Sequence, residues 1–250
     1  MSDHKLYIIG CGILGKQVSK SYTGESVGIV RSEQSIQALE QVGVSCLNKM
    51  PNDITMQNVL FCANGSPNQM EAINEFTIQN PLFDGLAILI SSTSYYQGTQ
   101  GRIDENSPHG VTPRAIQCKN LEELFKHNFK RGWILRCGGL FQEGRGPFNY
   151  LANTRQIPAL PTGQQLALFS YRDLTRLINY LFQRPATEIE TLLCTLPNCP
   201  TRFEYYRAAF QELKIPFHLD HSPCTGPEYK PNKLLSLFDL IDEHWSSSLS

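Results

Sequence analysis

The first 140 residues alternate short apolar runs with segments of helical periodicity. Lys5–Gly10 (KLYIIG) has a buried-strand pattern, followed by a glycine turn and an amphipathic stretch to about Tyr22. Ser26–Arg31 (SVGIVR) is a second strand. Behind Ser32, a residue suited to capping, Ile36, Leu39 and Val42 fall at helical spacing. Val44–Leu47, Asn58–Ala63 (NVLFCA), Leu86–Ser92 (LAILISS) and Trp133–Cys137 (WILRC) read as four further strands. Between the last two, a helix begins near Pro113, a residue favoured in a first helical turn. Strands alternating with helices call for a parallel sheet covered on both faces, and the near-continuous apolar runs NVLFCA and LAILI fit burial on both sides. A doubly wound α/β fold is the prediction.

Beyond residue 140 the texture changes. Glycine and proline cluster from Gly138 to Pro147, and Phe148–Gln156 reads as a short helix. Leu166–Tyr171 reads as a strand, Arg172–Gln183 as an amphipathic helix and Thr191–Leu196 as another strand. Thr201-Arg202-Phe203-Glu204 is a capping box, with Phe203, Tyr206, Phe210 and Leu213 as the expected apolar stripe of the helix it opens. The serine-rich end, Ser246–Ser250, is expected to fray. These features predict a first domain over 1–143 and a smaller region over 144–250, interleaved with the sheet of the first.

At 250 residues with 41% hydrophobic and 18% charged side chains, the chain can bury a sizeable core without cross-links. Its 22 basic and 23 acidic residues give a net charge of −1, which argues against a nucleic-acid or anionic-membrane surface and leaves room for a local basic pocket. The N-terminus lacks a signal-peptide pattern, and the longest apolar run, Leu86–Ile90, is far too short to span a bilayer. Eight cysteines with no Cys-x-x-Cys pair, several of them inside strand-like runs, are expected to be reduced thiols in a cytoplasmic protein. His218, Asp220, His221 and Cys224 form no recognised zinc spacing, so no metal site is expected. A homodimer is left open.

Gly10-Cys11-Gly12-Ile13-Leu14-Gly15 is Gly-x-Gly-x-x-Gly directly after a strand and opening a helix. The first glycine permits the tight turn, the second lets backbone approach a pyrophosphate, and the third allows close helix–strand packing. The pyrophosphate would rest on helix N-terminal amides. In this context the motif predicts a Rossmann-type dinucleotide site. An NAD-specific site usually carries Asp or Glu at the end of the second strand; here that place holds Arg31, followed by Ser32. An arginine there favours the 2′-phosphate of NADP over NAD.

The run ILISSTSYYQGTQGRIDENSP resembles the strand-and-loop signature of the NAD-dependent epimerase/dehydratase family, the extended and atypical short-chain dehydrogenases, in which Ser-Ser-Thr-x-Val-Tyr-Gly is followed by Asp-Glu-x-Ser-Pro. Arg136–Phe141, Tyr171-Arg172-Asp173-Leu174 and Pro231-Asn232-Lys233-Leu234 are similar to later segments of that family, and the glycine spacing points to an atypical, nucleoside-diphosphate-sugar epimerase-like branch. The resemblance implies hydride transfer at a carbinol or ketone of a small carbonyl or sugar-derived substrate. It implies Ser92 and Thr93 as hydroxyls that polarise the substrate oxygen. Ala63, Asn64 and Ser91 complete the cofactor residues.

The family's Tyr-x-x-x-Lys pair is missing. Aligning the helix through Glu122 places Arg114 at the tyrosine position and Cys118 at the lysine position; Lys119 is one residue late, about 100° around the helix. The literal match Tyr229 to Lys233 is interrupted by Pro231 and reads as coincidental. Three readings stay open: an oxidoreductase using another acid, with Tyr95 or Tyr96 nearest in sequence; Arg114 binding an anionic substrate or stabilising an oxyanion; or an NADP(H)-binding sensor or scaffold without turnover. His109 reads as a solvated loop residue.

Overall fold

The computed structural model describes residues 4–63, 65–156, 162–216, 223 and 226–249. The chain divides into two compact units, the first comprising residues 1–91, 117–135 and 175–191, the second residues 92–116, 136–174 and 192–250. The chain enters the second unit at the carboxyl ends of several sheet strands and returns, and the two units are similar in length.

Among the described residues seven strands form one parallel sheet in the order β10-β7-β5-β4-β1-β2-β3. They are β1 (Leu6–Ile9), β2 (Ser26–Ile29), β3 (Cys46–Leu47), β4 (Asn58–Phe61), β5 (Leu86–Ser92), β7 (Gly132–Cys137) and β10 (Ile189–Cys194). Helices α1 (Ile13–Ser21), α2 (Glu33–Glu40), α3 (Ser66–Gln79), α4 (Pro113–Asn128) and α6 (Tyr171–Phe182) connect them. This is the doubly wound Rossmann-type arrangement that the apolar runs predict. The order of connection reverses between β1 and β4, where crossovers leave a crevice at the strand ends. Ile9 stands level with Ile29 and Phe61, so Gly10 and Ala63 both lie at that reversal.

The first unit's core lies between this sheet and its helices. Phe61 of β4 meets Phe76 of α3 edge-on at 5.6 Å and Phe125 of α4 at 6.2 Å, with Ile73, Leu89, Leu121 and Ile134 around them. Ser32 caps α2 by accepting from the Ser35 amide, as its position predicts.

The second unit contains two short parallel pairs, β8 (Gly139–Phe141) with β9 (Leu168–Ser170), and β6 (Gly101–Ile103) with β11 (Pro227–Tyr229). Helices α5 (Pro147–Thr154), α7 (Arg202–Glu212) and α8 (Asn232–Leu237) complete it. Thr201 and Glu204 form the reciprocal capping box at the start of α7. The face that α7 buries differs from the expected stripe, however. Arg202, Tyr205, Tyr206 and Ala209 are buried, while Phe203 and Phe210 are only partly covered. The buried line is an i, i+3, i+4, i+7 set, turned roughly 70° from the expected one with Tyr206 common to both, and the charged Arg202 at its head conceals it in the sequence. The C-terminal segment is also anchored rather than frayed. Trp245 packs on the Tyr205 ring at 5.8 Å, and the buried Ser248 hydroxyl donates to Tyr205 Oη at 3.2 Å. Ser250 lies outside the described residues.

Seven of the eight cysteines are described, and all seven are free thiols. Burial pushes Cys11 up to about 12 and Cys199 up to about 11 from the ordinary 9.0, and raises Cys62 and Cys194 as well. Such thiols stay protonated in the folded chain after the unfolded chain has lost its protons. The folded state then binds more protons, so stability is complete below pH 9 and falls as pH rises toward 11–12. A thermal melting series from pH 7 to 11 should show a plateau and then a fall starting near pH 9. A midpoint constant to pH 11 would contradict this assignment.

Candidate functional site

At the end of β1 the chain turns sharply at Gly10, whose φ is +83°. A side chain there would be strained, and its Cβ would run into the backbone of Ala63 after β4. Gly15 sits one helical turn on, where a Cβ would come within 2.8 Å of Ile8 Cγ2. The first and third glycines thus do the turning and packing work expected of them. Gly12 is different: a Cβ would meet nothing nearer than Gly10 O at 4.0 Å, so the space before it is open. Gly12 is the N-cap of α1 and offers no side chain to its first amides. Leu14 is buried and Ile13 half-buried. The adjoining pocket of about 470 Å³ is lined by Gly10, Arg31, Ser32, Ala63, Asn68 and Glu75 among others. Asn64 lies outside the described residues.

Arg31 and Ser32 therefore stand at the pocket rim, but Arg31 is not a lone cation. Its Nη2 lies 2.9 Å from Glu71 and 4.0 Å from Glu75, both on α3. The sequence places no acid at the end of β2, yet the fold brings two from α3, and Glu75 lines the pocket itself. Arg31 and Glu71 are both more than 60% exposed, so their pairing is worth at most about 1 kcal/mol. A charge-assisted contact from Arg31 to a phosphate is worth more, about 1.5–3 kcal/mol.

The second unit has its own pocket, about 580 Å³, lined by Ser92, Thr93, Arg114, Gln164, Arg202 and Tyr229 among others. Ser92 and Thr93 follow directly from β5. The Ser92 hydroxyl caps the next turn by accepting from the Ser94 amide at 3.1 Å. Thr93 is hydrogen-bonded to the Tyr229 side chain, and the Tyr229 amide donates to Gln165 Oε1 at 3.0 Å. Burial pushes the Tyr229 phenol up to about 12. Arg114, exposed in the first turn of α4, is in the same pocket.

Three expected site residues are placed elsewhere. Tyr96 is fully buried; its hydroxyl donates to Asp104 O at 2.8 Å and accepts from Arg136. The buried Arg136 guanidinium lies 3.5 Å from the Tyr95 ring centroid, so Tyr95 is likewise wall. Neither phenol lines the pocket, which corrects the assignment of Tyr96 as a catalytic acid. Ser91 is also committed inward, since its hydroxyl donates to the buried carboxylate of Glu122 at 2.7 Å. Cys118 is buried, and Lys119 pairs with Glu123 at 3.4 Å on the helix surface, so no lysine stands in for the missing one. His109 Nδ1 is 2.7 Å from Gly110 O and packs against Tyr95.

Tyr229 and Arg202 are the pocket residues that the sequence pattern does not expose. The clue for Arg202 is electrostatic: a cation in the first turn of a helix opposes the helix dipole. Tyr229 is concealed by the chance Tyr-x-x-x-Lys spacing. The histidine and cysteine group around residues 218–224 lies outside the described residues. Among those described, no group of three His, Cys, Asp or Glu side chains could hold a metal, and no helix is long and apolar enough to cross a membrane.

No model of a known protein family matches the chain, and no curated protein matches it in sequence. Solved structures do match in fold. A candidate NAD-dependent epimerase/dehydratase from Methylobacillus flagellatus superposes with a TM-score of 0.75 at 21% identity, covering 99% of this chain and 96% of that one. A dTDP-4-dehydrorhamnose reductase from Bacillus anthracis, solved with NADP, gives 0.66 at 15% identity over 100% and 97%. A UDP-glucuronic acid 4-epimerase from Bacillus cereus, solved with NAD, gives 0.70 at 15% identity over 98% and 96%. The chain has the Rossmann-type α/β fold of these epimerase and reductase structures, over nearly its whole length.

Proposed function

We propose that the chain is an NADP(H)-dependent oxidoreductase acting on a small carbonyl or sugar-derived substrate. The observation that carries this reading is the open backbone at Gly12, flanked by two glycines that the fold requires and set at the switch point of the sheet. The site fits a dinucleotide: the α1 amides and Gly12 would take the pyrophosphate, Arg31 and Ser32 the adenosine 2′-phosphate. The similar structures solved with NADP and NAD support the same reading. When bound, the reduced nicotinamide would supply the hydride.

In the second unit's pocket, Ser92 and Thr93 would orient the substrate oxygen, and Tyr229 is the phenol available to move a proton. Because burial holds Tyr229 protonated, it suits donation to an oxygen gaining negative charge, the reductive direction at neutral pH. Arg114 replaces the usual tyrosine as a fixed positive charge and cannot act as a base at neutral pH. The missing lysine favours a second reading, a dinucleotide-binding sensor; tight NADPH binding with no turnover on ketones or sugar nucleotides would select it.

Calorimetric titration with NADPH and NADH tests the cofactor assignment. Wild type should prefer NADPH. Arg31→Ala should lose that preference by about tenfold or more, whereas Glu71→Gln, which frees Arg31, should keep or increase it. Equal affinities in the wild type would overturn the role given to Arg31.

A further inference from the structure

Arg202 heads the buried face of α7 and is only 7% exposed, yet its Nε and Nη2 have no hydrogen-bond partner among the described residues. No acidic side chain among those residues pairs with it; the guanidinium carbon lies 5.6 Å from the Tyr206 ring centroid. Burial lowers its pKa, as expected for a cation removed from water without compensation. Its position in the first helical turn adds the unfavourable end of the helix dipole. The neighbouring backbone cannot answer for it, since the Arg202 amide donates to Gln164 O and the Phe203 amide to Thr162 O, each at 2.8 Å. A folded chain seldom keeps such a charge unless something else supplies the acceptor.

The surroundings indicate what that something is. Arg202 lines the 580 Å³ pocket of the second unit together with Arg114, and no Asp or Glu among the described residues lines it. The two unpartnered nitrogens, Nε and Nη2, form one edge of the guanidinium, the edge that accepts two oxygens of a carboxylate or phosphate in parallel hydrogen bonds. Lining amides from Gln164 and Gln165, with Ser92 and Thr93, offer neutral contacts suited to hydroxyls.

We propose that the substrate of this pocket is an acid whose carboxylate or phosphate is gripped by the Arg202 guanidinium, with Arg114 as the second cation. This rests on the preceding reading only in taking the pocket as the substrate site. It narrows the substrate class to anionic compounds and makes Arg202 a specificity-determining residue.

The test is binding in the absence of dinucleotide, by calorimetry and thermal shift, with three probes of similar size: D-glucuronate, D-glucose 1-phosphate and neutral D-glucose. Wild type should bind one of the two acids at least tenfold more tightly than glucose. The preferred acid assigns the group as carboxylate or phosphate. Arg202→Gln and Arg202→Lys should each weaken acid binding about tenfold to hundredfold, the lysine variant because it keeps charge but loses the fork. Arg31→Ala should leave acid binding unchanged, which separates this pocket from a phosphate held at Arg31 in the first unit. Both Arg202 variants should bind NADPH as wild type does, and their melting midpoints should hold or rise, since an uncompensated buried charge is removed or allowed to shift. Equal binding of glucose and the acids, acid binding that survives both Arg202 variants, or midpoints that fall in both would overturn the proposal. Arg202-dependent acid binding supports it whether or not NADPH binds. Loss of acid selectivity beside intact NADPH binding refutes this inference alone.

Discussion

Replacing Gly12 with valine is expected to leave the protein folded and to weaken NADPH binding at least a hundredfold. Replacing Gly10 with alanine is expected to damage the fold itself. The contrast follows from what each side chain would meet. At Gly10 the left-handed φ of +83° costs about 1–2 kcal/mol for any L residue. Overlap with Ala63 adds about 1–3 kcal/mol, the usual range for overpacking. In a chain of 250 residues a loss of that size lowers the melting midpoint by roughly 10 °C. At Gly12 the φ is −81° and the nearest atom to an added Cβ is 4.0 Å away, so the stability change should stay within about 1 kcal/mol. The valine methyls would instead fill the space that a pyrophosphate must occupy to reach the α1 amides. A hundredfold loss corresponds to about 2.7 kcal/mol, about one or two charge-assisted hydrogen bonds. Melting curves and NADPH titrations of both variants check the pair. A Gly12→Val protein that still binds NADPH tightly would sink the placement of the pyrophosphate at Gly12, because nothing about its folding could explain the result away.

The glycine motif was legible because its constraints are local: turn, open backbone and close packing are all set within a few residues of the strand. The strand Leu86–Ser92 was legible to the residue, since a continuous apolar run buried on two faces leaves little else for it to be. Helix α3 was not. Its N-cap is Gly65 without a capping side chain, Ile78 is 79% exposed, and the buried face includes Gln69 beside Ala72, Ile73 and Phe76. A stripe broken in this way does not stand out from its polar surroundings. That omission carried a functional consequence, because α3 brings Glu71 and Glu75 to Arg31, and an acid reaching the rim from another element leaves no trace at the end of β2.

The second pocket was legible in only one of its walls. Ser92 and Thr93 are continuous with a strong strand, and their place at its carboxyl end is readable. Arg114 also lines the cavity, as its place in the aligned helix suggests, but Gln164, Arg202 and Tyr229 come from segments separated by 27 to 38 residues, and only tertiary packing brings them to one cavity. Tyr96 illustrates the opposite error. The loop after β5 has the right residue types, but Arg136 within β7 draws the Tyr96 hydroxyl into a buried network with Asp104 O. The arginine lies inside an apolar strand pattern, where sequence alone gives no partner for it.

Tyr229→Phe should reduce ketone reduction by about 10²–10⁴-fold, the usual contribution of a positioned proton donor, while Tyr96→Phe should act mainly on stability. The Tyr229 phenol lines the pocket and touches Thr93; the Tyr96 phenol is buried in the wall. Removing the Tyr229 hydroxyl leaves the ring to fill its place beside Ile103 and Leu193, so folding should survive. The pH dependence separates this role from a packing one. With its phenol pushed up to about 12, Tyr229 is protonated across the neutral range. Reduction should therefore be nearly independent of pH from 6 to 9 as far as this group is concerned, whereas alcohol oxidation, which needs the phenolate, should rise about tenfold per pH unit. Tyr229→Phe should abolish that rise. The measurement is nicotinamide absorbance in both directions over pH 6–9, on ketone and secondary-alcohol forms of the same sugar-derived acid. Turnover in which Tyr229→Phe keeps both the wild-type rate and the wild-type oxidative slope would remove Tyr229 from the chemistry and return the proton to water, with Ser92 and Thr93 left only to hold the oxygen in place.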